Sequence, residues 1–329
     1  MLKEEVLSML LNAQEPVSGE GICKTLGVTR AAVWKTIDQL RQEGYGIDAA
    51  PKRGYTLASV PDRLDTALVR AHLSGHPWQT LVTAVPSVDS TNNACKRLAA
   101  EGAPDGTAIL TGCQTAGRGR RGRTFVSPPG GLYFSVILRP HAKPEALMHL
   151  TAMAAVAAAR AVFAVSGVYP DIKWTNDLVL GGKKLCGILT ELTVEAETGT
   201  IDSIVAGIGV NVRQRPEDFP PELRAIAGSV RSETGLELSR ARLAAEMVRA
   251  LDRMYLDWQR DPRAYLDDYR ARCVTVGRPV RVVRGEDVRT GFAEAVDDDF
   301  ALVVRWPDGT RETVTGGDVS VRGLFGYLD

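Results

Sequence analysis

The sequence has 329 residues, of which 44% are hydrophobic and 24% charged, values that fit an ordinary soluble protein of two or three domains. Its 40 Lys and Arg residues balance its 40 Asp and Glu residues, so the overall charge indicates neither nucleic acid nor membrane as a partner. Five scattered cysteines without a CxxC pair, no signal peptide and no apolar run of membrane-spanning length predict a cytoplasmic protein without a disulfide framework, structural zinc or membrane contact.

Residues 1–60 are predicted to form a winged helix-turn-helix domain. Ser18 can cap a helix over Gly19–Leu26 that ends at Gly27, and Thr29 can cap the next helix, which runs to Glu43. Two helices joined by a short turn containing glycine make a helix-turn-helix. Two short strand-like segments then flank residues 51–53, which predicts a wing.

The local charge of this domain favours DNA binding. Residues 24–53 carry six cations against three anions, an excess that lies on the second helix of the motif and at the tip of the wing. The side chains expected to contact DNA are Thr29, Arg30, Lys35, Thr36, Lys52 and Arg53. The alternative is a helical interaction module that never meets DNA.

Residues 61–273 are predicted to form a mixed α/β domain with polar groups at a helix N-terminus. Ser90, Thr91 and Asn92 follow a strand and precede an amphipathic helix, where backbone N–H groups lie free. These side chains could simply cap the helix, or they could bind a polar ligand. Further along, residues 147–165 predict a buried Ala-rich helix, residues 172–192 a series of strands and turns, and residues 204–212 an apolar strand. The last helices are expected at residues 220–229, 239–258 and 262–271.

The basic loop Gly117–Arg123 holds four arginines and three glycines in seven residues. Four guanidinium groups so close together repel one another unless an anion lies among them, and the glycines let the backbone approach a ligand. Alone, such a run is typical of a solvated loop or a nucleic-acid patch. Here it joins two predicted strands, at residues 107–111 and 132–138, which favours a phosphate or carboxylate site in a folded core.

From about residue 274 the sequence predicts a small all-β domain. Four short strand-like segments lie between residues 278 and 314, separated by turns rich in Gly, Asp and Pro. Their close spacing indicates a small barrel. The predicted domains are therefore 1–60, 61–273 and 274–329, and the fold class is α+β.

Four segments together resemble the motifs of the biotin protein ligase family: Gly117–Arg123, Lys173–Asp177, Lys184–Leu189 and Gly207–Asn211. With the leading winged helix, the chain resembles the bifunctional ligase and operon repressor of this family over nearly its whole length. The resemblance implies a central domain like that of class II synthetases and an SH3-like C-terminal barrel.

The resemblance also assigns roles to individual residues. The implied biotin-binding residues are Ser90, Thr91, Asn92, Gln114, Arg118, Gly119, Arg120 and Lys184. The implied ATP-binding residues are Arg121, Arg123, Phe125, Lys173, Asn176, Asn211 and Arg322. The catalytic set is Arg118, Arg120, Lys184 and Asp177; Asp177 is a candidate to orient or deprotonate the acceptor amine, and a structural turn residue is its equal alternative.

Two positions depart from the family pattern. Thr175 replaces a common proline, which is expected to loosen the turn before Asn176. Phe125 stands where tryptophan is frequent, which keeps an aromatic face but shortens the platform for adenine.

The implied activity is ATP-dependent formation of biotinyl-5'-AMP from biotin and magnesium-bound ATP, followed by transfer of biotin to a lysine of an apo biotin carboxyl carrier protein. The resemblance implies further that biotinyl-5'-AMP acts as corepressor, and that the adenylate-bound protein is a homodimer on operator DNA. A lipoate ligase is one rival; the DNA module and the arginine-glycine loop count against it. A ligand-sensing repressor without ligase activity is the other, and Lys184 and the basic loop count against it because sensing alone requires neither.

Overall fold

The computed structural model describes residues 2–50, 53–140, 142–195, 197, 199–315 and 320–322, the last segment by its backbone. Within these ranges the chain forms three sheets, of two, seven and five strands in chain order. The α+β class with an N-terminal helix-turn-helix, a central mixed domain and an all-β C-terminal part is confirmed. The boundaries at residues 60/61 and 273/274 stay predictions.

The N-terminal part is a winged helix-turn-helix. Its elements are α1 (Leu2–Asn12), α2 (Gly19–Leu26), α3 (Arg30–Gln42), β1 (Gly46–Ala50) and β2 (Gly54–Ser59). The expected caps form: the Ser18 hydroxyl accepts from the Gly21 N–H, and the Thr29 hydroxyl accepts from the Ala32 N–H. Gly27 ends α2 with φ 66°, a left-handed conformation that glycine adopts at low cost.

The central sheet has the order β3-β4-β5-β9-β8-β7-β6, with β3 and β4 parallel and every other pair antiparallel. Its strands are β3 (Val82–Val85), β4 (Ala108–Thr111), β5 (Leu132–Leu138), β6 (Asp171–Lys173), β7 (Asp177–Leu180), β8 (Lys183–Val194) and β9 (Ile201–Val210). The sheet therefore places the start of β8 and the end of β9 side by side, and both border the candidate site.

Six helices accompany this sheet: α4 (Thr66–His72), α5 (Thr91–Ala100), α6 (Leu147–Ser166), α7 (Val230–Thr234), α8 (Arg240–Arg260) and α9 (Leu266–Arg272). The helix expected at residues 220–229 is wrong. That stretch holds a 3-10 turn over Pro221–Leu223, and the nearby helix α7 begins only after Ser229, whose hydroxyl accepts from the Ser232 N–H. The backbone of this stretch pairs with Lys184 instead: the Lys184 N–H donates to the Ile226 carbonyl at 2.7 Å, and the Gly228 N–H donates to the Lys184 carbonyl at 3.0 Å.

Helix α6 is the centre of the hydrophobic core. Together with the turn before it, the segment Pro144–Ser166 is long and apolar enough to cross a membrane by length and composition alone, although the sequence predicted no such segment. It packs against α8 and the central sheet, and its residues from Leu150 to Val162 are mostly fully buried. These contacts are those of a core helix in a folded domain.

The C-terminal part is a five-stranded antiparallel sheet of order β13-β12-β11-β10-β14. Its strands are β10 (Pro279–Arg284), β11 (Asp287–Val296), β12 (Leu302–Arg305), β13 (Arg311–Val314) and β14 (Ser320–Arg322). Strand β14 was not expected from the sequence; it adds to the edge of β10, opposite Arg281, Val282 and Val283.

The segment between the winged helix and the central domain is fixed by ion pairs. Asp62 accepts from the guanidinium of Arg240 at 2.9 Å and lies 3.2 Å from that of Arg213. The next residue, Arg63, donates to the carbonyl oxygen of Glu43, which caps the C-terminal end of α3. Helix α3 is thus connected through Arg63 and Asp62 to Arg213, which follows β9.

Candidate active site

A cavity of about 650 Å³ opens between the start of α5, the basic loop, the turn from β6 to β7, and strands β8 and β9. Among the described residues, seven lysine or arginine side chains and one carboxylate, Asp177, line it. The cations are Arg118, Arg120, Arg121, Arg123, Lys173, Lys184 and Arg281. Such an excess of positive charge in a concave site favours an anionic ligand.

Asn92 lies directly over a glycine of the cavity floor. A Cβ atom on Gly207 would stand 1.8 Å from Asn92 Oδ1, so only glycine fits opposite this side chain. The Asn92 amide donates to Glu191 Oε2 at 2.9 Å and to the Leu189 carbonyl at 3.3 Å, while its Oδ1 accepts from the Ser135 hydroxyl at 2.7 Å. The side chain is buried and fixed on both sides.

Gln114 continues this network toward the basic loop. Its Oε1 accepts from the backbone N–H of Thr91 at 2.8 Å, and its Nε2 donates to the Ser127 hydroxyl at 2.8 Å. The Thr91 hydroxyl lies 3.2 Å from Gln114 Oε1 and 2.7 Å from Ser135 Oγ. Ser90 occupies the N-cap position of α5 without a side-chain capping bond. Capping by Ser90 therefore does not account for this polar cluster.

Arg118 is held at the cavity edge by two partners. Its guanidinium donates to Asn93 Oδ1 at 2.9 Å and lies 3.1 Å from Glu191 Oε1. Burial alone would raise the pKa of Glu191, but hydrogen bonds from Lys96 and Asn92 and the charge of Arg118 outweigh it and lower that pKa. Glu191 is therefore a carboxylate that keeps its charge inside the protein and positions Arg118.

The basic loop has a fixed backbone of its own. The Gly119 N–H donates to the Arg123 carbonyl at 2.7 Å, and the Phe125 N–H donates to the Gly117 carbonyl at 2.9 Å. Only glycine fits at position 117, because a Cβ there would stand 2.3 Å from the Phe125 carbonyl oxygen. Arg121 adopts a left-handed φ of 59°. These bonds direct the arginines of the loop to the cavity.

Arg120 reaches deepest of the loop residues. It donates to Asn176 Oδ1 at 2.9 Å, and the Asn176 amide in turn donates to the Ile188 carbonyl at 2.7 Å. Burial lowers the pKa of Arg120, while the charge of Asp177 opposes this shift and Arg121 adds to it. A guanidinium that has lost much of its hydration and bonds to a neutral amide is stabilised strongly when an anion binds beside it.

Lys184 and Asp177 form an ion pair of 2.7 Å in the cavity wall. Lys184 and Gly187 both line the cavity although they are three residues apart, which a regular strand would place on opposite faces. The register of β7 against β8 shifts between Leu178 and Val179, so one extra residue of β8 restores a common face. The shift is what brings the Lys184 ammonium to Asp177.

The Phe125 ring lies on two glycines of the sheet. A Cβ on Gly209 would stand 2.5 Å from the ring, and one on Gly187 would stand 2.9 Å from it. The ring meets Tyr133 edge-on at a centroid distance of 6.3 Å, and Lys184 Nζ lies 5.7 Å from its centroid. Phe125 therefore forms an aromatic wall of the cavity beside Lys184.

The turn before Asn176 is held from outside the central sheet. The Trp174–Thr175 peptide bond is cis. The Tyr269 hydroxyl donates to the Thr175 carbonyl at 2.9 Å, and the Trp174 backbone N–H donates to the Thr275 hydroxyl at 2.9 Å. The Trp174 indole N–H donates to the Phe300 carbonyl. Helix α9 and the C-terminal sheet thus fix this turn without a proline ring at position 175.

Two expected ATP-binding residues are placed differently from the rest. Asn211 is buried outside the cavity lining and donates to the Gly228 carbonyl at 2.9 Å, so it supports the wall behind Lys184. The side chain of Arg322 lies outside the described residues; its backbone pairs with that of Arg281. The cavity lining does contain Arg121, Arg123, Phe125, Lys173 and Asn176.

The residues expected to contact DNA are divided by the structure. Thr29, Arg30, Lys35 and Arg53 are exposed. The expectation that Thr36 contacts DNA is wrong. Its side chain is buried because position 36 lies on the apolar face of α3, and its hydroxyl donates to the Ala32 carbonyl. Lys52 lies outside the described residues.

Sequence reasoning missed three residues of the site. Glu191 and Ser135 hold Arg118 and Asn92, and Arg281 reaches the cavity from β10. A charged residue in the otherwise apolar segment 185–192 is a signal that could have identified Glu191. No local signal marks Arg281, because only the packing of the C-terminal sheet brings it to the cavity.

Comparison with known proteins agrees with this arrangement. Residues 84–211 match the Biotin/lipoate A/B protein ligase family, residues 3–56 match an HTH domain, and residues 275–322 match the Biotin protein ligase C terminal domain. The chain is 34% identical to the Bifunctional ligase/repressor BirA of Bacillus subtilis (strain 168), over 94% of this chain and 96% of that protein. The chain belongs to the biotin protein ligase family.

Two further relatives of the family extend the comparison. The Bifunctional ligase/repressor BirA of Escherichia coli (strain K12) is 32% identical over 97% of this chain and 96% of its own length. A solved structure, the biotin protein ligase from Aquifex aeolicus in complex with biotin and ATP, is 26% identical, with a TM-score of 0.64, over 74% of this chain and 98% of that one. The biotin protein ligase fold and the added HTH domain are therefore both present in this chain.

Proposed function

We propose that this protein is an ATP-dependent biotin protein ligase and a biotin-responsive repressor. The observation that carries the ligase assignment is the cavity in which Arg118, Arg120 and Lys184 converge beside the buried polar network of Asn92 and Gln114. Fixed cations serve the joining of two anions, and fixed neutral donors and acceptors serve the recognition of a neutral ring.

In the first step a carboxylate oxygen of biotin attacks the α-phosphorus of ATP. The new O–P bond gives biotinyl-5'-AMP, and the bond from the α-phosphorus to the leaving pyrophosphate breaks. Arg118, Arg120 and Lys184 stabilise the charge that spreads over the phosphoryl oxygens in the transition state. Arg121, Arg123 and Lys173, which also line the cavity, neutralise the polyphosphate.

Magnesium enters as the counter-ion of ATP. The part of the chain that the structure describes contains no cluster of three or more His, Cys, Asp or Glu side chains able to hold a metal ion. Mg²⁺ commonly keeps its waters and binds through substrate phosphates and few protein groups. We therefore assign the ion to the ATP substrate.

In the second step the amine of a carrier-protein lysine attacks the acyl carbon of the adenylate, an amide bond forms, and AMP leaves. The attacking amine must be neutral, and Asp177 is the single carboxylate among the described residues of the cavity lining. Its ion pair with Lys184 orients it toward the reacting groups. We assign Asp177 the task of orienting this amine and accepting its proton.

The biotin ring is assigned to the polar side of the cavity. Ser90, Thr91, Asn92 and Gln114 all line the cavity with hydroxyl and amide groups, and Asn92 lies against Gly207. A ureido ring carries two N–H donors and one carbonyl acceptor, and fixed donors and acceptors discriminate against analogues that cannot bond to them. Lipoate has no ureido group and would make none of these ring hydrogen bonds.

The test is incubation of the protein with biotin, magnesium, ATP and an apo carrier domain, followed by mass spectrometry of the carrier. We expect one added biotin per carrier domain, and no reaction when lipoate replaces biotin. Transfer of lipoate at an equal rate would assign the protein to lipoate ligation instead. Binding of biotin and ATP without pyrophosphate release would indicate a sensor without ligase activity.

The proposed repressor function is supported by the exposed cations of α3 and the wing. Arg30, Lys35 and Arg53 lie on one domain outside the ligase cavity and suit DNA phosphates. We propose that biotinyl-5'-AMP is the corepressor: bound adenylate favours a homodimer, and the dimer places two α3 helices on paired half-sites of operator DNA. Asp62 and Arg63 join α3 to the central domain, because Arg63 donates to the Glu43 carbonyl and Asp62 pairs with Arg213.

The repressor test measures binding to the DNA that precedes the protein's own regulated genes. We expect the affinity to rise with biotin plus ATP, to fall again when apo carrier consumes the adenylate, and to fall with salt. Unchanged dimerisation and DNA affinity would refute this coupling and leave the ligase assignment intact. Recovery of the protein in the cytoplasmic fraction is expected from both activities.

A further inference from the structure

Trp34 stands apart from the other tryptophans of the chain. Four of the five are at most 7% exposed, whereas Trp34, on the fifth residue of α3, is 61% exposed. It is absent from the hydrophobic core cluster of the described residues. Burying an indole stabilises a fold substantially, so an indole left in water in the middle of a helix serves something other than packing.

The position of Trp34 on the helix is that of a base-contacting residue. Val33, Ile37 and Leu40 form the buried face of α3, and Trp34 lies beside this face, on the same side as Arg30, one turn before it. Lys35 is exposed directly after it. The first two turns of a recognition helix are the part that reaches the edges of the bases in the major groove.

We propose that Trp34 is a specificity residue that reads thymine in the DNA site through the C5-methyl group. An indole carries no charge and one donor, so it adds little to phosphate binding and offers mainly a large apolar face. In the major groove the thymine methyl is the apolar feature that distinguishes one base from the others. The flanking cations Arg30 and Lys35 bring the indole to the groove by binding phosphates, which favours DNA over an apolar protein partner.

This inference rests on the proposed DNA binding and assigns one element of its specificity. Arg30 and Lys35 supply affinity that depends on salt and not on sequence. Trp34 supplies discrimination that depends on sequence and not on salt. The two contributions can therefore be separated by measurement.

The experiment uses the full-length protein with biotin and ATP to select duplexes from a random library. Each thymine of the selected duplex is then replaced by deoxyuridine, which removes only the methyl group. We expect the wild type to lose affinity about fourfold at one thymine of each half-site, the effect of removing one buried methyl group. Trp34→Ala should bind the selected duplex more weakly by the same factor and show no further loss with deoxyuridine there.

Lys35→Ala is the matched control. It should weaken binding to all duplexes alike, reduce the slope of log affinity against log salt by about 1, and keep the deoxyuridine effect. Trp34→Ala should keep the wild-type salt slope, and its unchanged rate of biotin transfer would show that the fold persists. Trp34→Phe, which keeps an apolar ring, should retain part of the thymine preference.

Three results would overturn the inference. Trp34→Ala binding with wild-type affinity and preference would exclude Trp34 from DNA recognition. A uniform loss with wild-type sensitivity to deoxyuridine would assign Trp34 to general binding, and a change in self-association alone would assign it to a protein interface. If the wild type selects no sequence, the proposed repressor function fails first, and this inference fails with it.

Discussion

The ligase cavity and the DNA-binding face of α3 both present cations, but they hold them in opposite ways. In the cavity, Arg118 is held by Glu191 and Asn93, and Arg120 is held by Asn176. On α3, the Arg30 side chain is 80% exposed and its pair with Glu20 lies in solvent. Stabilising a transition state requires charges in fixed positions, whereas binding the phosphate backbone of DNA needs only accessible charges.

Mutations in the cavity and on the DNA-binding face should therefore have different effects. Changes in the cavity alter both the chemistry and the network that holds it, so activity and stability should change together when a supporting residue is lost. Changes on the DNA face should alter affinity and leave the fold intact.

The largest effect is expected for Lys184→Ala. Loss of a fixed cation at the reacting phosphorus should lower the rate of pyrophosphate release about 100- to 1000-fold with saturating substrates, as for other transition-state donors. Lys183→Ala is the control, because Lys183 pairs with Glu233 and does not line the cavity. Equal rates for the two variants would remove Lys184 from the catalytic set.

Gly207→Ala should disrupt the hydrogen-bond network of Asn92 without changing any charge. The added Cβ would displace the Asn92 side chain and its bonds to Ser135 and Glu191, so the free energy of unfolding should fall by about 1–3 kcal/mol. Biotin binding, measured by calorimetry, should be lost. Gly19→Ala is the matched change, since its Cβ meets the Tyr55 ring at an ordinary 3.4 Å. A stable Gly207→Ala variant with normal biotin affinity would contradict the role of this network.

Glu191→Gln should lower kcat/KM for biotin about tenfold. The amide keeps the shape of the side chain but removes the charge that holds Arg118, an interaction comparable to one charge-assisted hydrogen bond. Glu217→Gln, at an exposed carboxylate that does not line the cavity, should leave kcat/KM unchanged. A Glu191→Gln variant with the wild-type kcat/KM would show that Glu191 does not position Arg118.

The same residue predicts a dependence of stability on pH. The folded protein lowers the pKa of Glu191 below its ordinary 4.5, so the charged form stabilises the fold. This contribution is present above pH 4.5 and is lost as the pH falls through the folded pKa. The difference in unfolding free energy between wild type and Glu191→Gln should therefore shrink on acidification; a difference that grows would reverse the assignment.

The smallest effect on the fold is expected for Arg30→Ala. Its exposed pair with Glu20, at 3.1 Å, contributes at most about 1 kcal/mol. Affinity for the selected duplex should nevertheless fall several-fold, and the salt slope should decrease by about 1. Glu20→Ala removes the same pair but keeps the cation, so it should match Arg30→Ala in stability and retain full DNA affinity. A matching loss of DNA affinity in both variants would assign the effect to the helix and not to the charge.

Local patterns predicted most of the elements because their causes are local. The caps at Ser18 and Thr29 and the end of α2 at Gly27 depend on neighbours within four residues, and the structure confirms them. Strand β5 occupies residues 132–138 as expected, because a run of buried apolar residues in a central strand has few alternatives. The helix expected at residues 220–229 is wrong because the backbone of residues 226–228 bonds to Lys184, a partner far away in the chain.

The sequence by itself indicated the candidate residues of the site: a loop of four arginines, a lysine in a strand and a polar helix start are visible without coordinates. Only the tertiary structure decided how they meet. The register shift in β7–β8 turns Lys184 to Asp177, Glu191 reaches Arg118 in the basic loop from β8, and Arg281 enters from the C-terminal sheet. These contacts join residues far apart in the chain, and their geometry depends on sheet register and domain packing, which no local propensity encodes.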